Sequence, residues 1–272
     1  MMIIEQLLTG YMRRYTARLT RAADSQHRDG AKNRGKPTRA SGADCPGGRS
    51  GSGSRIETGR VPMLYLHIPF CKELCPFCTF YRIRFDEKLA RRYFAALRKQ
   101  LHRYHELGYQ FHTAYFGGGT PTVLPDELVL TIRELKKLWD VSEISVETNP
   151  ADLTKDNVEL LKSAGVNRLS VGVQSFQDNL LQSVNRIRKY GTGDDICSRL
   201  AEIGGTFDTL NVDLIFGLEG QTVADVASDI GMIKKLGIDQ VTCYPLMRSG
   251  GEAGAYAGGK TNLSWEKKAY QT

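Results

Sequence analysis

The sequence lacks any apolar run near the roughly 18–20 residues a membrane-spanning helix needs, so no transmembrane segment is expected. Its start, MMIIEQLL, lacks a basic segment followed by a long apolar one and a small-residue cleavage site, which argues against secretion. Cysteine is scarce, with six in 272 residues, yet three of the six fall within eight positions. A secreted scaffold scatters its cysteines for disulfides. A tight cluster in a chain with no export signal points instead to metal ligation in a reducing compartment, and a cytoplasmic location is expected. Cys45, Cys197 and Cys243 read as ordinary free thiols. Charge surplus is absent from most of the chain. Residues 1–60 hold 12 Lys/Arg against 5 Asp/Glu, whereas residues 61–272 hold 25 of each. The basic balance belongs to the N-terminal extension, and no nucleic-acid partner is expected for the rest.

What is present falls into four stretches. Residues 1–22 place Ile3, Ile4, Leu7, Leu8, Tyr11, Met12, Tyr15 and Leu19 at helical spacing among arginines, an amphipathic helix expected to pack on the main domain or lie on a membrane surface. Residues 23–61 are Gly, Ser, Arg and Asp with almost no apolar side chains, and read as a disordered linker. Residues 62–247 form the core domain, and 248–272 a Gly-rich tail. Within the core, short apolar strands are predicted at 63–68, 112–116, 143–147, 168–173, 210–216 and 240–244. Helices intervene at 86–107, 125–139, 154–165, from 178 to about 203 in two pieces, and 222–237. Pro125 suits a first helical position, Thr154 and Thr222 suit caps, and Gly165 and Gly237 suit helix ends. Such alternation requires parallel strands with right-handed crossovers. The fold class is α/β, either a (βα)6 partial barrel, short of the eight units of a closed one, or an open doubly wound sheet.

In such folds ligands gather at the carboxyl ends of the strands. Cys71-Lys-Glu-Leu-Cys75-Pro-Phe-Cys78 directly follows the first strand. Three thiolates on one loop can hold three irons of a [4Fe–4S] cluster and leave the fourth open to a small molecule. The alternative is zinc, with His67 or a distant residue as fourth ligand. The second strand ends in Gly117-Gly118-Gly119-Thr120-Pro121-Thr122, where backbone groups can approach a ligand closely. Neither a dinucleotide fingerprint nor a P-loop is matched there. Glu147 closes the third strand, Gln174 follows the fourth with Arg186 beyond it, and Asp213 lies within the fifth. Taken singly, each could be a cap, a surface charge or a satisfied buried polar group; together at one rim they imply a shared cavity.

The stretch from Leu64 through Cys78, with GGGTPT, SVETNP, RLSVGVQSFQDNLL and NVDLIFGLEGQT in order, resembles the radical S-adenosylmethionine (SAM) enzymes related to oxygen-independent coproporphyrinogen III oxidase. That group includes bacterial heme chaperones and anaerobic heme-degrading enzymes, and the resemblance runs from about residue 63 to 247. It implies that Cys71, Cys75 and Cys78 ligate a [4Fe–4S] cluster whose open iron binds SAM. It implies that Phe77 packs near the adenine, and that Tyr65, Gly118, Gly119, Thr120, Glu147, Gln174, Arg186 and Asp213 line the SAM pocket. One-electron reduction then yields a 5′-deoxyadenosyl radical. A tetrapyrrole or heme as ligand and a flavodoxin or ferredoxin as electron donor are the partners implied.

Two departures qualify the branch. The oxidases proper carry a further cysteine two positions after the third ligand, where this chain has Phe80, a form nearer the chaperone and heme-degrading branches. Relatives also continue past the sixth strand into a domain covering the barrel mouth, whereas this chain ends soon after it, so a missing C-terminal domain is expected. Three readings stay open: an enzyme making the deoxyadenosyl radical, a heme chaperone on the same fold, and a folded but inactive fragment.

Overall fold

The computed structural model describes residues 63–246. The expected amphipathic helix, the linker and the Gly-rich tail lie outside the described residues. Six strands form one parallel sheet in sequential order: β1 (Met63–Ile68), β4 (Thr113–Gly118), β5 (Glu143–Thr148), β6 (Arg168–Gln174), β7 (Thr209–Phe216) and β8 (Gln240–Pro245). Helices α1 (Glu87–Glu106), α2 (Pro125–Leu138), α3 (Lys155–Ala164), α6 (Gly193–Glu202) and α7 (Val223–Leu236) fill the crossovers. Sequential parallel order with a helix at each return and no reversal is that of a partial barrel and not of a doubly wound sheet.

The helix boundaries follow their local chemistry. Thr154 accepts from the Asn157 amide to start α3, and Gly165, at φ 93°, ends it. Thr222 and Asp225 form a reciprocal capping box at the start of α7, and Gly237 closes that helix at φ 65°. Pro125 stands at the first position of α2. Between β6 and α6 the structure adds two short helices, α4 (Asp178–Ser183) and α5 (Ile187–Tyr190), where two pieces in all were expected. The breaks fall at Asn185, in the left-handed region at φ 57°, and at Gly191, at φ 87°.

The two faces of the sheet differ in kind. Toward the helices point Leu64, Leu66, Ile68, Phe116, Ile144, Val146, Leu169, Val171, Leu210 and Val212, all buried, against Phe94, Leu128, Ile132, Leu161, Ile196 and Leu200. Toward the concave side point Tyr65, Tyr115, Glu147, Ser170, Asn211, Asp213 and Thr242. Polar atoms of this face are paired within and across strands. Asn211 donates to Ser170 at 2.7 Å and to Asp213 at 2.8 Å, and Thr242 donates to Asn211 at 3.0 Å. The strands are thus apolar on one face only. The hydrophobic core sits between sheet and helices, and the concavity is left for polar ligands.

A second, unexpected ladder lies beside β1. Strands β2 (Phe70–Cys71) and β3 (Ile83–Arg84) pair in parallel and close the cysteine loop at both ends. The amides of Ile83 and Phe85 donate to the carbonyls of Pro69 and Cys71 at 2.7 and 2.8 Å.

Candidate functional site

The three cysteines reach the site by different routes. Cys71 is fixed in β2 and buried, while Cys75 and Cys78 ride the loop and are partly exposed. The Cys78 amide donates to the Cys75 carbonyl at 3.2 Å, a tight turn that turns both thiols inward. Phe77, between them, anchors the loop in a small apolar cluster with Leu180, Val184 and Leu218. Lys72 at the base of the loop pairs with buried Asp152 at 3.4 Å, and Asp152 also accepts from Thr122 and Asn149. The cysteine loop is thereby tied to the segments that follow β4 and β5.

The glycine run is shaped by close approach. A Cβ on Gly119 would lie 2.7 Å from the Phe70 carbonyl oxygen and 3.0 Å from Cys71 Sγ. Gly118 has φ 118°, a region that favours glycine, and its amide donates to Glu147 at 2.9 Å. Tyr115 donates to the other Glu147 oxygen at 2.8 Å, so that carboxylate is held from two sides. On β6 the register shifts between Gly172 and Gln174, and Gln174 adopts φ 79°, which costs a non-glycine residue energy. This bulge re-aims Gln174 at the strand end, where ligand sites concentrate strain. Arg186 is 4% exposed, donates to the Gly172 carbonyl, approaches Cys75 Sγ at 3.5 Å, and stacks 4.1 Å from the Tyr190 ring centre.

These parts surround one cavity of about 1070 Å³, counting its open mouth. Of the twelve residues singled out in the sequence, eleven line it: Cys71, Cys75, Phe77, Cys78, Gly118, Gly119, Thr120, Glu147, Gln174, Arg186 and Asp213. Tyr65 is not among the lining residues; it stacks 5.9 Å from the ring of Tyr115, which in turn donates to Glu147. The sequence reading passed over Arg82, Asn149, Tyr190 and Tyr244, which also line it. Asn149 stood in the SVETNP motif, and Tyr244 was legible as an inward position of β8; Arg82 and Tyr190 carried no spacing signal. His67, one candidate fourth ligand of the zinc alternative, lies on the open side of the sheet but does not line the cavity. Its Nε2 meets the Tyr81 carbonyl at 3.0 Å and its Nδ1 the Tyr65 hydroxyl at 3.1 Å.

The electrostatics pull the thiols in two directions. Burial pushes the Cys71 and Cys78 thiols up from their ordinary range, opposed at Cys71 by a 3.7 Å hydrogen bond from Thr120 and by Lys189. At Cys78 the opposing influences are a backbone amide and the guanidinium groups of Arg82 and Arg186. Metal ligation requires thiolates, and these donors and cations favour them. Burial first, with the neighbouring charge of Glu147, pushes Asp213 up to about 6 against the hydrogen bonds from Ser170 and Asn211. Among the described residues no three His, Cys, Asp or Glu side chains converge as a single-ion site would. The thiols border a wide cavity, and its donor set fits a multi-iron cluster beside a polar organic ligand: soft sulfur with a buried guanidinium beside it, and the carboxylates of Glu147 and Asp213.

A parallel partial barrel with three thiols at the end of its first strand, and polar groups at the ends of the others, defines a cofactor-dependent α/β protein with its site at the barrel mouth. The Radical SAM superfamily pattern matches residues 65–233, and the chain belongs to that superfamily. Its members use a [4Fe–4S] cluster and SAM. The chain is 36% identical to "Heme chaperone HemW" of Bacillus subtilis (strain 168) over 190 residues, 67% of this chain and 50% of that protein. It is 34% identical to "Oxygen-independent coproporphyrinogen III oxidase" of Bradyrhizobium diazoefficiens, over 70% of this chain and 44% of that protein. The solved structure of coproporphyrinogen III oxidase (HemN) from Escherichia coli superposes with a TM-score of 0.67 at 28% identity, covering 79% of this chain and 52% of that one. The chain therefore spans about half the length of the relatives it matches. Among the described residues no helix is long and apolar enough to cross a membrane.

Proposed function

We propose that Cys71, Cys75 and Cys78 hold a [4Fe–4S] cluster, that SAM occupies the adjoining cavity, and that the chain serves radical chemistry on a tetrapyrrole. The observation that supports this most is the single cavity shared by the three thiols and the polar strand ends. When bound, the cofactor pair supplies one-electron cleavage of SAM and a radical that abstracts hydrogen from a substrate. The chain's own part is binding and orientation. Glu147, fixed by Tyr115 and Gly118, offers a carboxylate to an amino group. Arg186, with its Nε buried and unpartnered, offers a donor to a carboxylate. Asp213 and its Ser170–Asn211 network offer acceptors to hydroxyl groups.

Anaerobic reconstitution with iron and sulfide is expected to give the broad visible absorbance of an iron–sulfur cluster and, with reductant, 5′-deoxyadenosine. A triple Cys71→Ala, Cys75→Ala, Cys78→Ala variant is expected to lose both. Stoichiometric zinc without iron would overturn the reading.

A heme chaperone is the second reading, favoured by Phe80 at the cavity mouth, 59% exposed, where an aromatic face is available to a flat macrocycle. Heme binding without 5′-deoxyadenosine formation favours the chaperone. Substrate-dependent 5′-deoxyadenosine release, with electrons from a flavodoxin or ferredoxin, favours the enzyme. A bound cluster with neither outcome marks a chain that holds cofactors only.

A further inference from the structure

Cys75 sits between two guanidinium groups. Arg186 approaches its sulfur, and Arg82, carried on the segment leading into β3, donates to its backbone carbonyl. Both arginines line the cavity, and in both the Nε is buried without a hydrogen-bond partner. Leaving such a donor unpaired costs free energy, which is tolerated where a bound group completes the site. The β2–β3 ladder fixes where Arg82 emerges, because the next residue, Ile83, donates to Pro69.

We propose that Arg82 is a positioning residue for the iron–sulfur cluster: it pins the Cys75 turn through the backbone carbonyl and places fixed positive charge beside the cluster. The inference rests on the reading that the three thiols hold a cluster. Adding an electron to a thiolate-bound cluster adds negative charge, and a guanidinium held close in a partly buried site favours that step. Arg84, two residues on, is exposed and serves as the control for general charge.

The experiment uses the full chain, reconstituted anaerobically with iron and sulfide, in wild-type, Arg82→Gln, Arg82→Lys and Arg84→Gln forms. Iron and sulfide content, circular dichroism and a redox titration followed by electron paramagnetic resonance are the readouts. Arg82→Gln is expected to lower the ratio of reduced to oxidised cluster at a fixed potential about tenfold, a shift of about 59 mV for a one-electron couple. Arg82→Lys is expected to restore most of that ratio, and Arg84→Gln to leave it unchanged. A wild-type potential in Arg82→Gln overturns the proposal, as does an equal shift in Arg84→Gln or Arg82→Lys. If Arg82→Gln folds but retains no cluster, retention at near wild-type potential by Arg82→Lys supports the role, and failure of both overturns it. A wild-type chain that takes up no iron and sulfide overturns the functional reading itself, and the role of Arg82 with it.

Discussion

The two faces of one sheet obey opposite rules. Residues 64, 66 and 68 of β1 are Leu, Leu and Ile, buried under helices, while residues 65 and 67 between them are Tyr and His on the open side. The same alternation runs through EISVET, RLSVGVQ and NVDLIF. A parallel sheet covered on both faces carries near-continuous apolar runs, so this alternation marks a sheet covered on one face only. Stability is concentrated on the helix side and ligand chemistry on the concave side, and substitutions should separate the two.

The largest effect is expected on the covered face. Phe116→Ala removes a fully buried ring and should lower unfolding free energy by about 3–5 kcal/mol in chemical denaturation. A loss below about 1 kcal/mol would break the division of labour. Gly119→Ala, at the seam of the two faces, forces a methyl against Phe70 and Cys71 and should cost about 1–3 kcal/mol. It should also reduce iron bound after reconstitution; full iron content at unchanged stability would show that the close approach is dispensable.

Asp213 sharpens the comparison through pH. Its folded pKa, about 6, is raised above the value of about 3.9 for an unfolded chain, so the folded state holds the extra proton between them. Stability from this group is therefore present below about pH 4 and lost as pH rises through about 6, about 3 kcal/mol in all. Asp213→Asn should flatten that segment of the stability profile and weaken SAM binding; an unchanged slope would show that Asp213 does not carry it. Tyr65→Phe should do least, within about 1 kcal/mol, because the half-exposed hydroxyl loses only its contact with His67. Its effect on SAM binding should be smaller than that of Asp213→Asn, and a larger one would mean that Tyr65 meets the ligand directly.

Much of this was legible in the residues. Pro125, Thr154, Gly165, Thr222 and Gly237 marked helix boundaries because capping is local chemistry. The thiols and the strand-end polar groups were legible because parallel topology brings strand ends together however far apart they lie in sequence. Arg82 and Tyr190 were not, since their places depend on how loops fold back over the mouth. The β2–β3 ladder was hidden for a related reason: two-residue strands carry no periodicity, and this pair exists through the geometry of the loop between its members. Reading the strands as simply apolar also concealed their inner face, although the period of two was present in each.

That short ladder places closure of the cysteine loop within the fold itself. Because backbone hydrogen bonds join the ends of the cysteine loop, the entropy of loop closure is offset by the chain's own pairing. The span that carries the three thiols is thereby a closed loop, its two ends held by the backbone and not by its side chains.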